Sequence, residues 1–322
     1  MLSQATARLV QDKRILAPLT THQTHHSSKT LILICAFNEE ETLSVLLDRL
    51  GSDYDILVID DGSVDRTRIV ASNHGTNILV HEERLGKAAS LADGISYALQ
   101  NGYDMILEID ADSIPRRGAI QRVLNRLSQK DVGAVSCRQI PIGGTNLAYH
   151  IDELIWAALT EGKRLQIKKY GSCHVGSVLV GFKPQLVDSV EGSVNDDEQV
   201  GISIENKGYR AEFEDSIAVY FDASSSLGHI LERRRRMYFG HMKFAKSTAP
   251  SMEASISALA LCNAIKEDKR RFVWLFPALA MDFLARLLAW KDVRRPDKSK
   301  KYSRWVTTYV KDDYLAIHNR TA

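Results

Sequence analysis

Two pairs of acidic residues have the types and the spacing that a site for a metal and a nucleotide needs. Asp110 and Asp112 follow one apolar run of the sequence, and Asp60 and Asp61 follow another. Carboxylates that crowd together repel one another unless a cation or hydrogen-bond donors offset the repulsion. Magnesium and manganese prefer oxygen ligands and are commonly held by one or two carboxylates together with substrate phosphates. The pattern therefore predicts a divalent metal at Asp110 and Asp112 that also binds a nucleoside diphosphate.

The same residues also have structural interpretations. Asp110 and Asp112 could form a turn and a helix N-cap, and Asp61 could open a tight glycine turn with Asp65 as the cap of the next helix. Asp60 is different, because a carboxylate just past a buried strand can accept hydrogen bonds from a base or a ribose. The spacing alone leaves these interpretations open.

A third group of polar residues lies at the predicted entry to a helix. Lys87 follows Gly86 there, where the lysine and the helix N-terminus could bind phosphate. The segment is not a P-loop, because His81 takes the place of the first glycine and Ala88 that of Ser or Thr. No G-x-G-x-x-G follows the first strand, which disfavours a dinucleotide-dependent dehydrogenase.

These polar groups lie between alternating strands and helices. Short apolar runs rich in branched residues are typical of strands buried on both faces, and they occur at 31–35, 56–59, 78–80, 105–109 and 134–136. Apolar residues at helical spacing lie between them, at 43–50 and 88–99. The alternation predicts an α/β fold with a mostly parallel twisted sheet covered by helices on both faces. Ligands bind at the carboxyl ends of such strands, so both acidic pairs should face one crevice.

Several motifs stand in a fixed order along the chain. They are Ala36-Phe37-Asn38-Glu39-Glu40, Asp60-Asp61-Gly62-Ser63-Val64-Asp65, Gly86-Lys87-Ala88, Asp110-Ala111-Asp112, Gly176-Ser177, Phe182-Lys183 and Asp196-Asp197-Glu198-Gln199-Val200-Gly201. Together they resemble the family 2 glycosyltransferases with the GT-A fold, over residues 30–245. The resemblance implies an inverting transfer of a sugar from a UDP-sugar or GDP-sugar, with Mg²⁺ or Mn²⁺ as cofactor.

The resemblance also implies roles for individual residues. Asp197, next to Asp196, would be the catalytic base, Asp112 would bind the metal with Asp110 in support, and Arg236 would add donors to the leaving diphosphate. The nucleotide would be bound by Ala36, Glu39, Asp60, Asp61, Lys87, Asp110 and Arg233. A single base without a second carboxylate as nucleophile implies inversion. From the residues alone, Asp197 could instead be the N-cap of the following helix.

An arginine run departs from the pattern of the polymer-making members of this family. Those members carry Gln-x-x-Arg-Trp where this chain has Arg233-Arg234-Arg235-Arg236-Met237, and only Arg236 matches. The indole that holds the growing sugar end in those synthases is missing, so we predict a single transfer rather than processive polymerisation. The run could also be a solvated basic face of a helix.

The carboxyl-terminal third contains an apolar stretch at 272–290, interrupted by Asp282 and Arg286. These two residues share one helical face, and Pro277 would start or kink the helix. The stretch approaches the ~30 Å thickness of a bilayer core. We predict an amphipathic helix at a membrane interface, and a buried core or dimer helix and a membrane span are the alternatives. Basic residues that follow the stretch would attract anionic lipid, namely Lys291, Arg294, Arg295, Lys298, Lys300, Lys301 and Arg304. Trp274, Trp290 and Trp305 could anchor at the lipid headgroups.

These features predict an overall organisation. Residues 1–29 would be a polar tail with His22, His25 and His26, 30–245 the GT-A domain, and 246–322 a helical, membrane-interfacial region. The tail histidines could instead bind a metal. The acceptor would be a glycan or a polyprenyl phosphate, and the protein would lie in the cytoplasm at the inner face of the cell membrane.

The composition of the chain argues against several other classes of function. The 42 basic and 40 acidic residues give a formal charge of +2, so no global attraction to nucleic acid follows. The four cysteines form no C-x-x-C pair, which argues against a disulfide scaffold or a zinc site and favours a reducing cytoplasm. A nucleotidyltransferase would carry a glycine-rich basic signature where this chain has Asn38-Glu39-Glu40. A non-catalytic sensor of nucleotide sugars, or a membrane scaffold, would need the binding motifs but not Asp197.

Overall fold

The computed structural model describes residues 28–176, 178–224, 226–243 and 254–295, together with Lys298 and Tyr302. The first part comprises β1 (Thr30–Ala36), α1 (Glu40–Leu50), β2 (Asp55–Asp60), α2 (Thr67–Asn73), β3 (Asn77–Val80), α3 (Lys87–Gln100), β4 (Met105–Ile109), β5 (Ser113–Pro115), α4 (Ala119–Leu127) and β6 (Val132–Ile142). The second part comprises α5 (Leu147–Tyr170), β7 (Leu179–Phe182), α6 (Asp196–Asn206), β8 (Arg210–Asp222), α7 (Leu227–Lys243), α8 (Ala254–Glu267) and α9 (Leu275–Val293). Short 3-10 turns occur at Pro184–Leu186 and Lys269–Trp274.

Some sequence predictions fall outside the described residues. They concern the tail histidines His22, His25 and His26, the motif residue Ser177, the boundary at 245/246, and the distal residues Lys300, Lys301, Arg304 and Trp305. The division of the chain into three regions therefore stays a prediction.

The strands form one eight-stranded sheet in the order β3-β2-β1-β4-β7-β6-β8-β5. The first four strands in that order are parallel, as predicted. β7 then runs antiparallel between β4 and β6, β6 pairs with β8 in parallel, and β5 is antiparallel to β8. The α/β fold is confirmed, but the sheet as a whole is mixed because β7 and β5 reverse direction.

Helices cover both faces of the sheet because successive side chains of a strand point to opposite sides. In β1, Ile32 and Ile34 join one hydrophobic core with α1, while Leu31 and Leu33 join the other core with α3. All four side chains are fully buried, and each such burial stabilises the fold by about 1.5–3 kcal/mol. The two cores hold the strands rigidly, with the carboxyl ends of β1, β2 and β4 at one edge.

The longest helix, α5, faces this edge and carries a second layer of helices. Its N-cap Asn146 accepts a hydrogen bond of 2.9 Å from the backbone N–H of Tyr149, which satisfies one free donor of the first turn. Further along, α5 packs against Ile230 of α7, Ala264 of α8 and Ala278 of α9. The later part of the chain thereby places α5 and α7 opposite the strand ends.

Candidate active site

A cavity of about 330 Å³ lies at the carboxyl ends of β1, β2 and β4 and is also lined by α5, α6 and α7. Every predicted site residue except Asp60 lines it. These residues are Ala36, Glu39, Asp61, Lys87, Asp110, Asp112, Asp196, Asp197, Arg233 and Arg236. The structure therefore brings together motifs that are as much as 200 positions apart in the sequence.

Asp60 lies at the end of β2 but is fully buried and is not among the residues that line the cavity. Its carboxylate accepts a hydrogen bond of 3.0 Å from the backbone N–H of Ser63 and pairs with the Arg68 guanidinium at 3.2 Å. These contacts close the turn after β2. In this structure Asp60 therefore stabilises the turn beside the cavity, and the contact with the nucleoside that the motif predicts stays a prediction.

Asp61 lines the cavity, but the surrounding loop holds its carboxylate tightly. It accepts hydrogen bonds of 2.8 Å from the backbone N–H groups of Leu85 and Gly86 and contacts His81 Nδ1 at 2.8 Å. On its other side His81 Nε2 contacts the buried Asp93 at 3.0 Å. Burial by itself would lower the pKa of His81, but the bonds to Asp61 and Asp93 outweigh it and raise the pKa to about 9. A charged imidazole thus bridges two buried carboxylates.

The turn after Asp61 requires glycine, as the turn interpretation of this motif predicts. Gly62 has a φ of +78°, and a side-chain Cβ there would lie 2.9 Å from the backbone nitrogen of Arg84. Asp65 lies one residue before the N-cap Arg66, and it accepts a hydrogen bond of 2.9 Å from the backbone N–H of Thr67, the first residue of α2. The main structural role of the motif is therefore to bring loop 83–87 close to the end of β2.

Lys87 is the cation at the centre of the acidic cluster. Its Nζ lies 2.6 Å from Asp110 and 3.0 Å from Glu108. Burial by itself would lower the pKa of Lys87, but the charges of Asp110, Glu108 and Asp196 raise it well above its usual value. Lys87 therefore compensates much of the charge of Asp110 and stays protonated.

The Asp112 carboxyl lies among other negative charges. Burial, followed by the charges of Glu39 and Asp110, raises the pKa of Asp112 to about 8. Among the described residues, no three His, Cys, Asp or Glu side chains are grouped closely enough to hold a metal by themselves. Magnesium and manganese accept one or two carboxylates when substrate phosphates complete the coordination. Asp112 with Asp110 therefore fits a divalent cation that is bound together with a nucleotide.

The acid-Asp motif forms the first turn of α6. Asn195 precedes the helix, so Asp197 lies inside it and is not its N-cap. Burial, followed by the charge of Asp196, raises the pKa of Asp197 to about 6. The Asp196 side chain is buried, and its Oδ2 has no hydrogen-bond partner among the described residues. The cavity thus faces two acids of α6, of which Asp197 has a pKa suited to a general base near neutral pH.

The arginine run of α7 is not a solvated face. Arg233 pairs with the fully buried Asp152 and donates a hydrogen bond of 2.9 Å to the Ser224 hydroxyl. Arg234 pairs with Asp282 of α9, and the run ends with Arg236, which lines the cavity. Arg233 also lines the cavity, with its charge held by Asp152.

The cavity contains residues that the motifs do not reveal. Lys163, Trp156 and His174 line it, the first two from α5 and the third from the segment before β7. Burial, followed by the charge of His241, lowers the pKa of His174 to about 3, so this imidazole is neutral. Isolated residues on a helix of mixed composition resemble ordinary core or surface positions, so motif analysis does not find them.

The predicted apolar helix corresponds to the 3-10 turn and α9. The range Lys269–Val293 is long and apolar enough to cross a membrane, by length and composition only. Pro277 lies in the first turn of α9, and Asp282 pairs with Arg286 at 2.8 Å on one face, as predicted. The side chains of Phe276 and Phe283 face outward and are 73% and 70% exposed. Among the described residues, α9 is therefore not a helix that is buried in the core.

The fold is similar to that of several solved glycosyltransferases. A mannosyltransferase from Pyrobaculum calidifontis, solved in complex with GDP-Man and Mn²⁺, matches with a TM-score of 0.60 and 16% identity over 89% of this chain and 92% of that chain. Glucosyl-3-phosphoglycerate synthase from Mycobacterium tuberculosis, solved with Mn²⁺, UDP and phosphoglyceric acid, matches with a TM-score of 0.51 and 16% identity over 70% of this chain and 81% of that chain. At this identity the similarity shows the GT-A fold.

Sequence comparison finds curated relatives that match part of this chain. Polyprenol monophosphomannose synthase from Mycolicibacterium smegmatis is 28% identical over 128 residues, which are 37% of this chain and 48% of that protein. Undecaprenyl-phosphate mannosyltransferase from Micrococcus luteus is 28% identical over 123 residues, which are 36% of this chain and 50% of that protein. The chain thus spans about half the length of these relatives. The family model for glycosyl transferase family 2 matches residues 31–188, and together with the motifs at the strand ends this match identifies that part of the chain as a glycosyl transferase family 2 domain.

Proposed function

We propose that this chain transfers a single sugar from a nucleoside diphosphate sugar to an acceptor oxygen, with inversion at the anomeric carbon. The observation that carries the proposal is the convergence of the strand-end acids Glu39, Asp61 and Asp112 with Asp197 of α6 in one cavity. A protein that only bound nucleotides would not need a second acidic motif, with a raised pKa, facing the same space. The match of residues 31–188 to the glycosyl transferase family 2 model supports the same reaction class.

In the proposed reaction, the acceptor oxygen attacks the anomeric carbon and a new carbon–oxygen bond forms. The bond between that carbon and the diphosphate breaks, and its electron pair leaves with the diphosphate. Asp197 takes the proton that the acceptor loses as this bond forms, either from a hydroxyl or from the P–OH group of a phosphate monoanion. Lys87 and Arg236 contribute positive charge near the departing diphosphate. A divalent cation at Asp112 and Asp110, when bound, would neutralise further charge on that group.

Replacement of the proposed base tests the reaction. In Asp197→Asn we expect transfer to fall at least 100-fold, because general base catalysis contributes about 10²–10⁴-fold, while donor affinity changes less than about twofold. Transfer is measured with radiolabelled GDP-mannose and UDP-sugars, and donor binding by calorimetry with and without Mn²⁺. Glu191→Gln, an exposed acid in the loop before α6, is the matched control.

A variant of the proposed metal site separates catalysis from metal-assisted binding of the donor. Asp112→Asn is expected to weaken donor binding only when Mn²⁺ is present. Full transfer activity in Asp197→Asn would contradict the proposed base, and equal binding by wild type and Asp112→Asn in Mn²⁺ would contradict the proposed metal site.

The acceptor that we propose is a polyprenyl phosphate. The names of the relatives from M. smegmatis and M. luteus refer to polyprenol monophosphomannose and undecaprenyl phosphate. In this chain Ile155, Trp156 and Leu159 of α5 give the cavity an apolar wall opposite the acidic strand ends, which suits an acceptor whose reactive head carries a hydrocarbon chain. Met237 lines the cavity where the polymer-making pattern has Trp, which supports a single transfer. Assays with farnesyl phosphate and with a soluble glycan distinguish the two acceptor classes.

We further propose that the 3-10 turn and α9 attach the protein to the cytoplasmic face of a membrane. The exposed residues Phe272, Phe276, Phe283, Leu287 and Trp290 recur at helical spacing and form one outward apolar stripe. At one end of the stripe lie the exposed cations Lys291, Arg294 and Arg295. An apolar stripe followed by positive charge fits the interface of an anionic bilayer. A membrane position would give the cavity access to an acceptor that is itself held in the bilayer.

Vesicle flotation tests the attachment. The wild type is expected to float with vesicles of phosphatidylcholine and phosphatidylglycerol, and the double variant Phe276→Asp/Phe283→Asp is expected to remain in the soluble fraction. The pair Ile69→Asp/Leu99→Asp, which changes two exposed apolar residues of α2 and α3, is the matched control and should float. Flotation of the Phe276→Asp/Phe283→Asp variant to the wild-type extent, with an unchanged melting temperature, would contradict the proposal.

A further inference from the structure

A buried lysine of α5 contacts the backbone next to the proposed base. Lys163 is only 6% exposed, lines the cavity, and donates a hydrogen bond to the backbone carbonyl of Gly176. One turn along the same helix, the buried Gln166 accepts a hydrogen bond of 3.0 Å from the backbone N–H of His174. Two side chains on one face of α5 therefore hold segment 174–176 in place.

Gly176 is held from the other side as well. Its backbone N–H donates a hydrogen bond of 3.2 Å to the hydroxyl of Ser136 in β6. A Cβ at position 176 would lie 2.9 Å from Oδ2 of Asp197. The Asp197 carboxylate therefore packs directly against the Gly176 backbone, and the position of that backbone limits where the carboxylate can lie.

The charges around Asp197 make Lys163 important electrostatically. Asp196 of the same helix is a negative neighbour, burial raises the pKa of the adjacent Glu198 to about 7, and the neutral His174 lies beside Gly176. The charges of Lys87 of α3 and Lys163 of α5 both favour the ionised form of Asp197. Burial lowers the pKa of Lys163, whereas the charge of Asp197 opposes that effect. Lys163 and Asp197 therefore stabilise each other in their charged forms.

We propose that Lys163 is a positioning residue that holds Gly176 against Asp197 and keeps the Asp197 carboxylate charged. It acts on the base and does not contact the reacting atoms. This inference rests on the proposed function, in which Asp197 takes the proton of the acceptor. Removing the positive charge should make Asp197 harder to ionise, and removing the hydrogen bond should also move it out of place.

Two variants separate the two effects. Lys163→Gln keeps a donor for the Gly176 carbonyl but loses the charge, whereas Lys163→Met loses both. Lys168→Met, which changes an exposed lysine of the same helix, is the matched control.

For Lys163→Gln we expect the acidic limb of the kcat/KM profile to move up by about one pH unit. The value of kcat/KM should fall about fivefold at pH 6 and change little at pH 8.5. For Lys163→Met we expect a further loss of about tenfold at both pH values. Donor affinity and melting temperature of Lys168→Met should match the wild type.

A spectroscopic measurement keeps this inference separate from the proposed function. In protein labelled with ¹³C-aspartate, the carboxyl resonance missing from Asp197→Asn identifies Asp197, and its titration needs no catalytic activity. The titration midpoint should rise by about one pH unit in Lys163→Gln. An unchanged midpoint, or wild-type pH profiles in both Lys163 variants, would overturn the role of Lys163. Absence of transfer by the wild type, together with a shifted midpoint, would instead count against the proposed function alone.

Discussion

His81 illustrates how a single buried residue links stability to pH in this protein. Its pKa is raised from 6.5 to about 9 by Asp61 and Asp93, which overcome the cost of burial. A group whose folded pKa is raised contributes its full stabilisation below the unfolded pKa and loses it as the pH rises through the folded pKa. A shift of this size corresponds to on the order of 3 kcal/mol. The contribution is therefore complete below about pH 6.5 and is lost by about pH 9.

Replacement of Asp93 tests this linkage. Asp93→Asn removes one of the two negative charges that favour the imidazolium, so the pKa of His81 should fall. We expect the free energy of unfolding at pH 7 to drop by about 1–3 kcal/mol. Its decline with pH should still begin near pH 6.5, but it should be smaller and end at a lower pH than in the wild type. Urea unfolding between pH 6 and pH 9 measures both, with the exposed Asp53→Asn as control. Identical pH profiles for Asp93→Asn and the wild type would show that Asp93 does not hold the His81 proton.

At the scale of elements, α9 has an unusual distribution of residue sizes. Its buried positions Ala278, Ala285 and Ala289 carry small side chains, whereas its large aromatic side chains are exposed. The small side chains let α9 approach α7 closely, where Tyr238 and Phe239 fill the space between the helices. A helix whose only role was to complete the core would have its large side chains buried.

The close approach of the two helices predicts the effect of a larger residue. Ala285→Leu introduces a side chain for which the packing has no room, and overpacking of this kind costs about 1–3 kcal/mol. Leu279→Ala, at a half-exposed position of the same helix, should have a much smaller effect on stability in water. Urea unfolding of the two variants provides the comparison. Unchanged stability of Ala285→Leu would mean that α9 does not pack closely on α7.

For the whole molecule, local patterns in the sequence predicted the first half of the fold better than the second. The apolar runs up to residue 109 became β1 to β4 with nearly the same limits, because buried parallel strands have a strong local signal. The run at 134–136 is only part of β6, and β8 was not predicted. Both strands are long, mix charged and apolar residues and pair through a register shift near Cys137, so their pattern depends on partners distant in sequence.

The site was predictable to the extent that its residues follow strand ends. Residues that directly follow a strand lie at the edge of the sheet, and the sequence pattern identifies such residues. All but one of the predicted site residues line the cavity. Asp60 differs because its side chain turns back to Ser63 and Arg68, which spacing cannot reveal. Lys163 was missed because a lysine in a helix is normally solvated, and only the packing of α5 against segment 174–176 buries it.

The place of β7 in the sheet has a consequence for the nascent chain on the ribosome. Strands β1 to β4 can pair once residues 30–109 have emerged, but β4 is covered on its outer side only by β7, which is synthesised after the 24-residue helix α5. During that interval β4 presents unpaired N–H and C=O groups, to which strands of other chains can add. Translation speed between β4 and β7 therefore bears on how much of this protein reaches its native state rather than an aggregate.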